Sequence, residues 1–171
     1  GAGMLLRQQR ALEWVEMIRD NISILSEKIL SDEEFQDGFV FMFEKYLRER
    51  NKEKREILKK IFLGFSISEQ KQEFSLEKFS YVISQISQEE IIILRDIMNR
   101  IDVQPTVETK KELMSKYTQI YGNTDKKVEN IFYLVNIGLL ISDPSARYGS
   151  FHSPFVKLSA FGEEFIKYIV D

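Results

Sequence analysis

The sequence predicts a mainly α-helical chain with one small β-hairpin near its C-terminus. Apolar residues recur at spacings of three and four through most of the chain, the pattern of helices with one inward face. Punctuation is sparse: eight Gly and three Pro in 171 residues leave few helix stops. Near the end, two short apolar runs, LLIS and FVKLS, flank the turn-rich DPSARYGSFHSP, and this reads as a hairpin.

Gly1–Gly3, ahead of Met4, reads as a cloning scar and is set aside. From Met4 to Leu30 the series Leu12, Val15, Ile18, Ile22, Leu25 and Ile29 predicts one long amphipathic helix. Its stripe either joins the core or pairs with a second chain. In the second case Leu12, Trp14, Val15, Ile18 and Ile22 form the oligomer face, with Trp14 as its anchor. Ser31 with Glu34 then makes a capping box that restarts the chain as helix. The next helix carries Phe35, Phe39, Met42, Phe43, Tyr46 and Leu47. Another carries Ile57, Leu58, Ile61, Phe62 and Phe65, and the boundary near Asn51 is open. After the polar SISEQKQEF, Ser75 caps a helix with Leu76, Phe79, Val82, Ile83 and Ile86.

Ser87 and Glu90 form a second capping box and start a helix that DVQPT ends. Thr106 caps a helix through Ile120, and YGNTD is a turn. Thr124 starts a helix bearing Val128, Ile131, Phe132 and Val135, closed at Gly138 by a left-handed cap. The hairpin follows, then Ser159 caps a last helix with Phe161, Phe165 and Ile169 inward. Residues 4–86 therefore read as a helical region and 87–171 as a second one, packed together or as one continuous domain.

Composition narrows the function classes. Hydrophobic residues make up 43% and charged residues 30%, as in a globular chain. Without Cys there are no disulfides and no thiolate zinc sites, which fits a reducing cytoplasm. No run approaches the ~18 apolar residues of a membrane span, and no signal peptide is read. The net charge of −3 is unlike a dedicated nucleic-acid binder. Catalytic motifs are missing: there is no phosphate loop, no dinucleotide fingerprint and no Glu-x-x-His pair. His152 is the only His. The pairs Glu33/Glu34, Glu89/Glu90 and Glu163/Glu164 fall at helix starts, where the helix dipole accounts for them. No metal, cofactor or catalytic residue is expected.

Two stretches invite a binding reading. KYLRERNKEKREILKK holds eight Lys/Arg against three Glu from Lys45 to Lys60. Arg48, Lys52, Lys54, Arg55 and Lys59 either form a basic surface for an anionic partner or pair with Glu44, Glu49, Glu53 and Glu56 along a solvated face. The second stretch is VENIFYLVNIGLLI with VKLSAFGEEFIKYI. Together with the preceding helices, it resembles the winged-helix superfamily over residues 87–171. The helical front and the KLSAFGEEF ending are also similar to the abortive-infection alpha family of prokaryotic proteins, a resemblance that assigns no residue roles. The winged-helix resemblance implies a recognition helix over Thr124–Ile137, with Lys126, Lys127, Asn130 and Tyr133 outward and Arg147 and His152 on the wing. Asp125 and Glu129 would repel phosphate, and IFYLVNIGLL is apolar nearly all round. The expected function is a non-enzymatic interaction or regulatory protein on a winged-helix-like scaffold, with a protein partner or a homodimer. The alternative is a DNA-binding regulator.

Overall fold

The computed structural model describes residues 1–68, 74–101, 125–142 and 156–169. The chain divides into two compact units, Gly1–Gln85 and Ile86–Asp171.

The first unit holds helices α1 (Ala2–Asp20), α2 (Glu27–Leu30), α3 (Glu33–Arg48), α4 (Lys52–Ile67) and α5 (Leu76–Gln85). The long helix expected over Met4–Leu30 is broken. Asn21 ends α1: its Nδ2 donates to the Met17 carbonyl at 2.7 Å, and its own carbonyl accepts from Ile24 and Leu25 in a turn. Ser26 then caps α2 by accepting from the Ile29 N–H at 3.3 Å. Short polar side chains compete for helical hydrogen bonds, while the apolar spacing runs on across the break. The expected capping box at Ser31 is also corrected. Ser31 Oγ donates back to the Lys28 carbonyl, and Asp32 is the N-cap of α3, accepting from the Glu34 N–H at 3.1 Å.

The open boundary near Asn51 is a real break. Asn51 caps α4 by accepting from the Lys54 N–H at 3.0 Å. Ser75 accepts from the Lys78 N–H at 3.2 Å and starts α5. The core of this unit is aromatic. Trp14, fully buried, lies 5.2 Å from Phe62, 5.3 Å from Tyr46 and 6.0 Å from Phe39, ring centre to ring centre. Met42, Leu47, Ile57, Leu58 and Ile61 fill the spaces around them.

The second unit contains α6 (Gln88–Ile101), α7 (Asp125–Asn136), strands β1 (Leu140–Ser142) and β2 (Val156–Leu158), and α8 (Ala160–Ile169). The Ser87–Glu90 capping box forms in both directions, at 2.9 and 3.1 Å. At the end of α7, Gly138 adopts φ +86°. The Gly138 N–H reaches the Val135 carbonyl and the Leu139 N–H reaches the Leu134 carbonyl, each at 3.0 Å. This pair of bonds is a Schellman cap, and only Gly takes that φ without strain. β1 and β2 pair antiparallel with Leu140 opposite Leu158. The expected Thr106–Ile120 helix and Thr124 lie outside the described residues.

A clasp closes this unit. Ser159 N–H donates to the Leu139 carbonyl at 3.1 Å. Ser159 Oγ donates to the Gly138 carbonyl and accepts from the Gly162 N–H at 2.9 Å, capping α8. A Cβ at Gly162 would collide with the Leu139 carbonyl, so the absence of a side chain there sets how closely α8 approaches the turn. Arg95 on α6 donates from Nε to the Ile169 carbonyl at 2.6 Å, placing a cation on the negative end of α8.

Candidate functional site

Two surfaces of the first unit stand out, and α1 borders both. The first is the outward side of α1. Trp14 and Met17 face inward, with half-buried Arg10 and Asn21 in line with them. The opposite side carries Met4, Leu5, Leu12 and Val15, exposed by 66, 68, 64 and 47%. Leu5 and Leu12 lie about two turns apart and Met4 and Val15 about three, so all four share a broad face. Ile22, just past the helix, is 52% exposed. This corrects the expected oligomer face in one respect. Leu12, Val15 and Ile22 are exposed and Ile18 is half-buried, but Trp14 is core and cannot anchor an outer contact. Helix α1 is apolar on two sides, and the bulkier side chain took the interior.

The second surface is the junction where α1, α3 and α4 meet. Arg10 Nη1 donates to the Leu47 carbonyl at 2.9 Å, near the end of α3. The buried Tyr46 hydroxyl donates to Glu13 at 2.7 Å. Burial pushes the Tyr46 phenol well above its ordinary 10.0, and the hydrogen bond to Glu13 and the charges of Glu13 and Glu56 add to the shift. Lys59 lies over the Tyr46 ring, 5.4 Å from its centre, and pairs with Glu56 at 3.1 Å. Arg55 Nη1 donates to the Glu49 and Arg50 carbonyls at 3.0 and 2.9 Å, tying down the link between α3 and α4.

The basic stretch therefore separates into two sets. Arg55 and Lys59 are structural. Arg48 and Lys52 are exposed and Lys54 is half-buried, as expected of surface cations. Of the Glu residues expected to pair with this stretch, Glu56 does so through Lys59, while Glu44 and Glu49 have other partners. Glu44 pairs with Arg7 at 3.6 Å, Glu49 accepts from the Asn51 N–H at 3.1 Å, and Glu56 holds Lys59. Sequence reasoning missed Glu13, Tyr46 and Arg10 as junction members, because their contacts join residues more than thirty apart and leave no local signal.

On α7, Ile131 and Leu134 are buried, while Glu129, Phe132 and Asn136 face outward. Asn130 and Tyr133, two of the expected groove-facing residues, are half-buried. Lys126 stands in the first turn. Lys127 stands in the same turn. Arg147 and His152 lie outside the described residues. Among the described residues no group of three or more His, Cys, Asp or Glu is arranged to hold a metal ion, and no helix is long and apolar enough to cross a membrane.

No protein-family model, curated protein or solved structure matches this chain. The geometry of its surfaces is therefore what bears on function.

Proposed function

We propose that this chain is a non-enzymatic interaction or regulatory protein, working through protein contacts from a scaffold whose C-terminal region is winged-helix-like. The observation that carries the reading is the outward side of α1. Met4, Leu5, Leu12 and Val15 form an apolar face on a helix already packed through its other side. Exposed apolar side chains gathered on one helix face, here on either side of Gln8, are a common mark of a protein contact. A partner helix, or α1 of a second copy, fits such a face.

The rival reading is DNA contact through α7. It has less support, because Glu129 would meet phosphate and Phe132 has no groove-reading chemistry. The order of helix, short strand, strand and helix in the second unit supports the winged-helix-like part of the proposal.

The test is a pair of surface variants. Leu5→Glu and Leu12→Glu together should abolish self-association or partner capture without lowering the thermal midpoint, since both side chains are exposed. Unchanged association in the double variant would remove α1 from the account.

A further inference from the structure

We propose that the α3–α4 junction is a docking surface for a short acidic segment of a partner protein. This rests on the protein-contact reading but uses a different surface from the outward face of α1.

Four positive charges at this junction have no explanation in the local structure. Arg48, Arg50, Lys52 and Lys54 crowd into seven residues spanning the end of α3 and the start of α4. None makes an ion pair with any described residue. The neighbouring Glu44, Glu49 and Glu56 are held by Arg7, the Asn51 N–H and Lys59. Arg48 suits the negative end of α3. Lys52 and Lys54 do not suit their places. They stand in the first turn of α4, where the helix end is already positive and a cation is destabilising. Only Glu53 in that turn has the favourable sign. Side chains that oppose their own helix gain a rationale when an outside anion neutralises them.

The class of partner follows from the rest of the molecule. From Arg48 to Lys60 the chain has seven Lys/Arg against three Glu, whereas the whole chain carries −3. The patch is thus a small positive island on an acidic protein. A nucleic-acid strand running beyond it would meet the remainder of the first unit, which holds seven Lys/Arg against twelve Asp/Glu, and lose what the patch gains. No exposed aromatic side chain lies among the four cations for base stacking, since Tyr46 is fully buried. A few Asp or Glu residues on a partner match the island in size and sign, and charge complementarity of this kind sets on-rate and specificity.

The test is fluorescence anisotropy on the full chain with a labelled oligo-glutamate peptide, and separately with a labelled DNA duplex. The peptide should bind and be released by added salt. Arg48→Glu with Lys52→Glu should weaken it by at least about tenfold. Lys28→Glu, a single charge reversal on α2 away from the junction, should leave it unchanged. The Leu5→Glu, Leu12→Glu variant should also bind the peptide normally, which separates failure of this surface from failure of the α1 face. Duplex DNA should bind more weakly than the peptide. The proposal is overturned if the peptide does not bind, if the junction reversal leaves its binding intact, if Lys28→Glu weakens it equally, or if the duplex binds as tightly through the same residues.

Discussion

The two units hold together in different ways. In the first, large side chains set the distances between helices: Trp14 meets Phe39, Tyr46 and Phe62, and α1, α3 and α4 are spaced around those rings. In the second, a missing side chain sets the distance. Gly162 lets α8 come against the Leu139 carbonyl, with Ser159 bonded to both Gly138 and Leu139. The contrast shows that one chain can fix helix positions either by filling space or by leaving it empty. It also predicts opposite sensitivities, since removing atoms should harm the first unit and adding them should harm the second.

The largest expected effect is Trp14→Ala, a loss of about 3–5 kcal/mol. In hydrogen exchange the loss of protection should concentrate in α1, α3 and α4. An equal loss in α7 and α8 would break the comparison. Next is Gly162→Ala, at about 3 kcal/mol by urea unfolding, because the new methyl meets backbone that cannot swing aside. Gly138→Ala should cost less, about 1–2 kcal/mol, the penalty of placing a Cβ at positive φ with open space around it. If Gly138→Ala proved the more damaging of the two, the clasp at Gly162 would not control the packing.

The smallest effect appears at alkaline pH. The buried Tyr46 phenol is held above its ordinary 10.0, whereas an unfolded tyrosine releases its proton near 10. The folded state thus keeps a proton that the unfolded state gives up, and stability present below pH ~10 declines as pH rises beyond it. Tyr168 in the second unit is raised too, by burial first and by Glu164 second. Tyr46→Phe should flatten the alkaline decline of the first unit and leave that of the second. The variant should also lose about 1 kcal/mol at neutral pH, the worth of the hydrogen bond to Glu13. An unaltered alkaline slope would mean that Tyr46 does not titrate as its surroundings require.

What could be read in the sequence was local. As caps, Ser87 with Glu90, Ser75, Ser159 and Gly138 bond close by in the chain, and each stands where its residue type places it; the further bonds of Ser159 to Gly138 and Leu139 left no such signal. The inward stripes of α3 and α4 were also legible, because each is apolar on one side only. Helix α1 was not. Apolar residues lie on two of its sides, so periodicity gave a helix but not the side that would be buried. Its end at Asn21 was hidden because Ile22, Leu25 and Ile29 continue the spacing. The junction was half legible. The Glu residues near the basic stretch suggested neutral pairing, but Glu44 turned to Arg7 on α1 and Glu49 to the backbone. Nothing local distinguishes Gly162 from any helical glycine, and its role depends on Leu139, which comes from a distant part of the chain.

The function proposed for this chain is protein contact through the outward face of α1. Light scattering over a concentration series at low salt, with and without duplex DNA, tests it most directly. The mass is expected to rise above 20.2 kDa with concentration, to be unmoved by DNA, and to return to the monomer value in the Leu5→Glu, Leu12→Glu variant. A mass that stays at the monomer value until DNA is added, and then rises equally in wild type and variant, would contradict it.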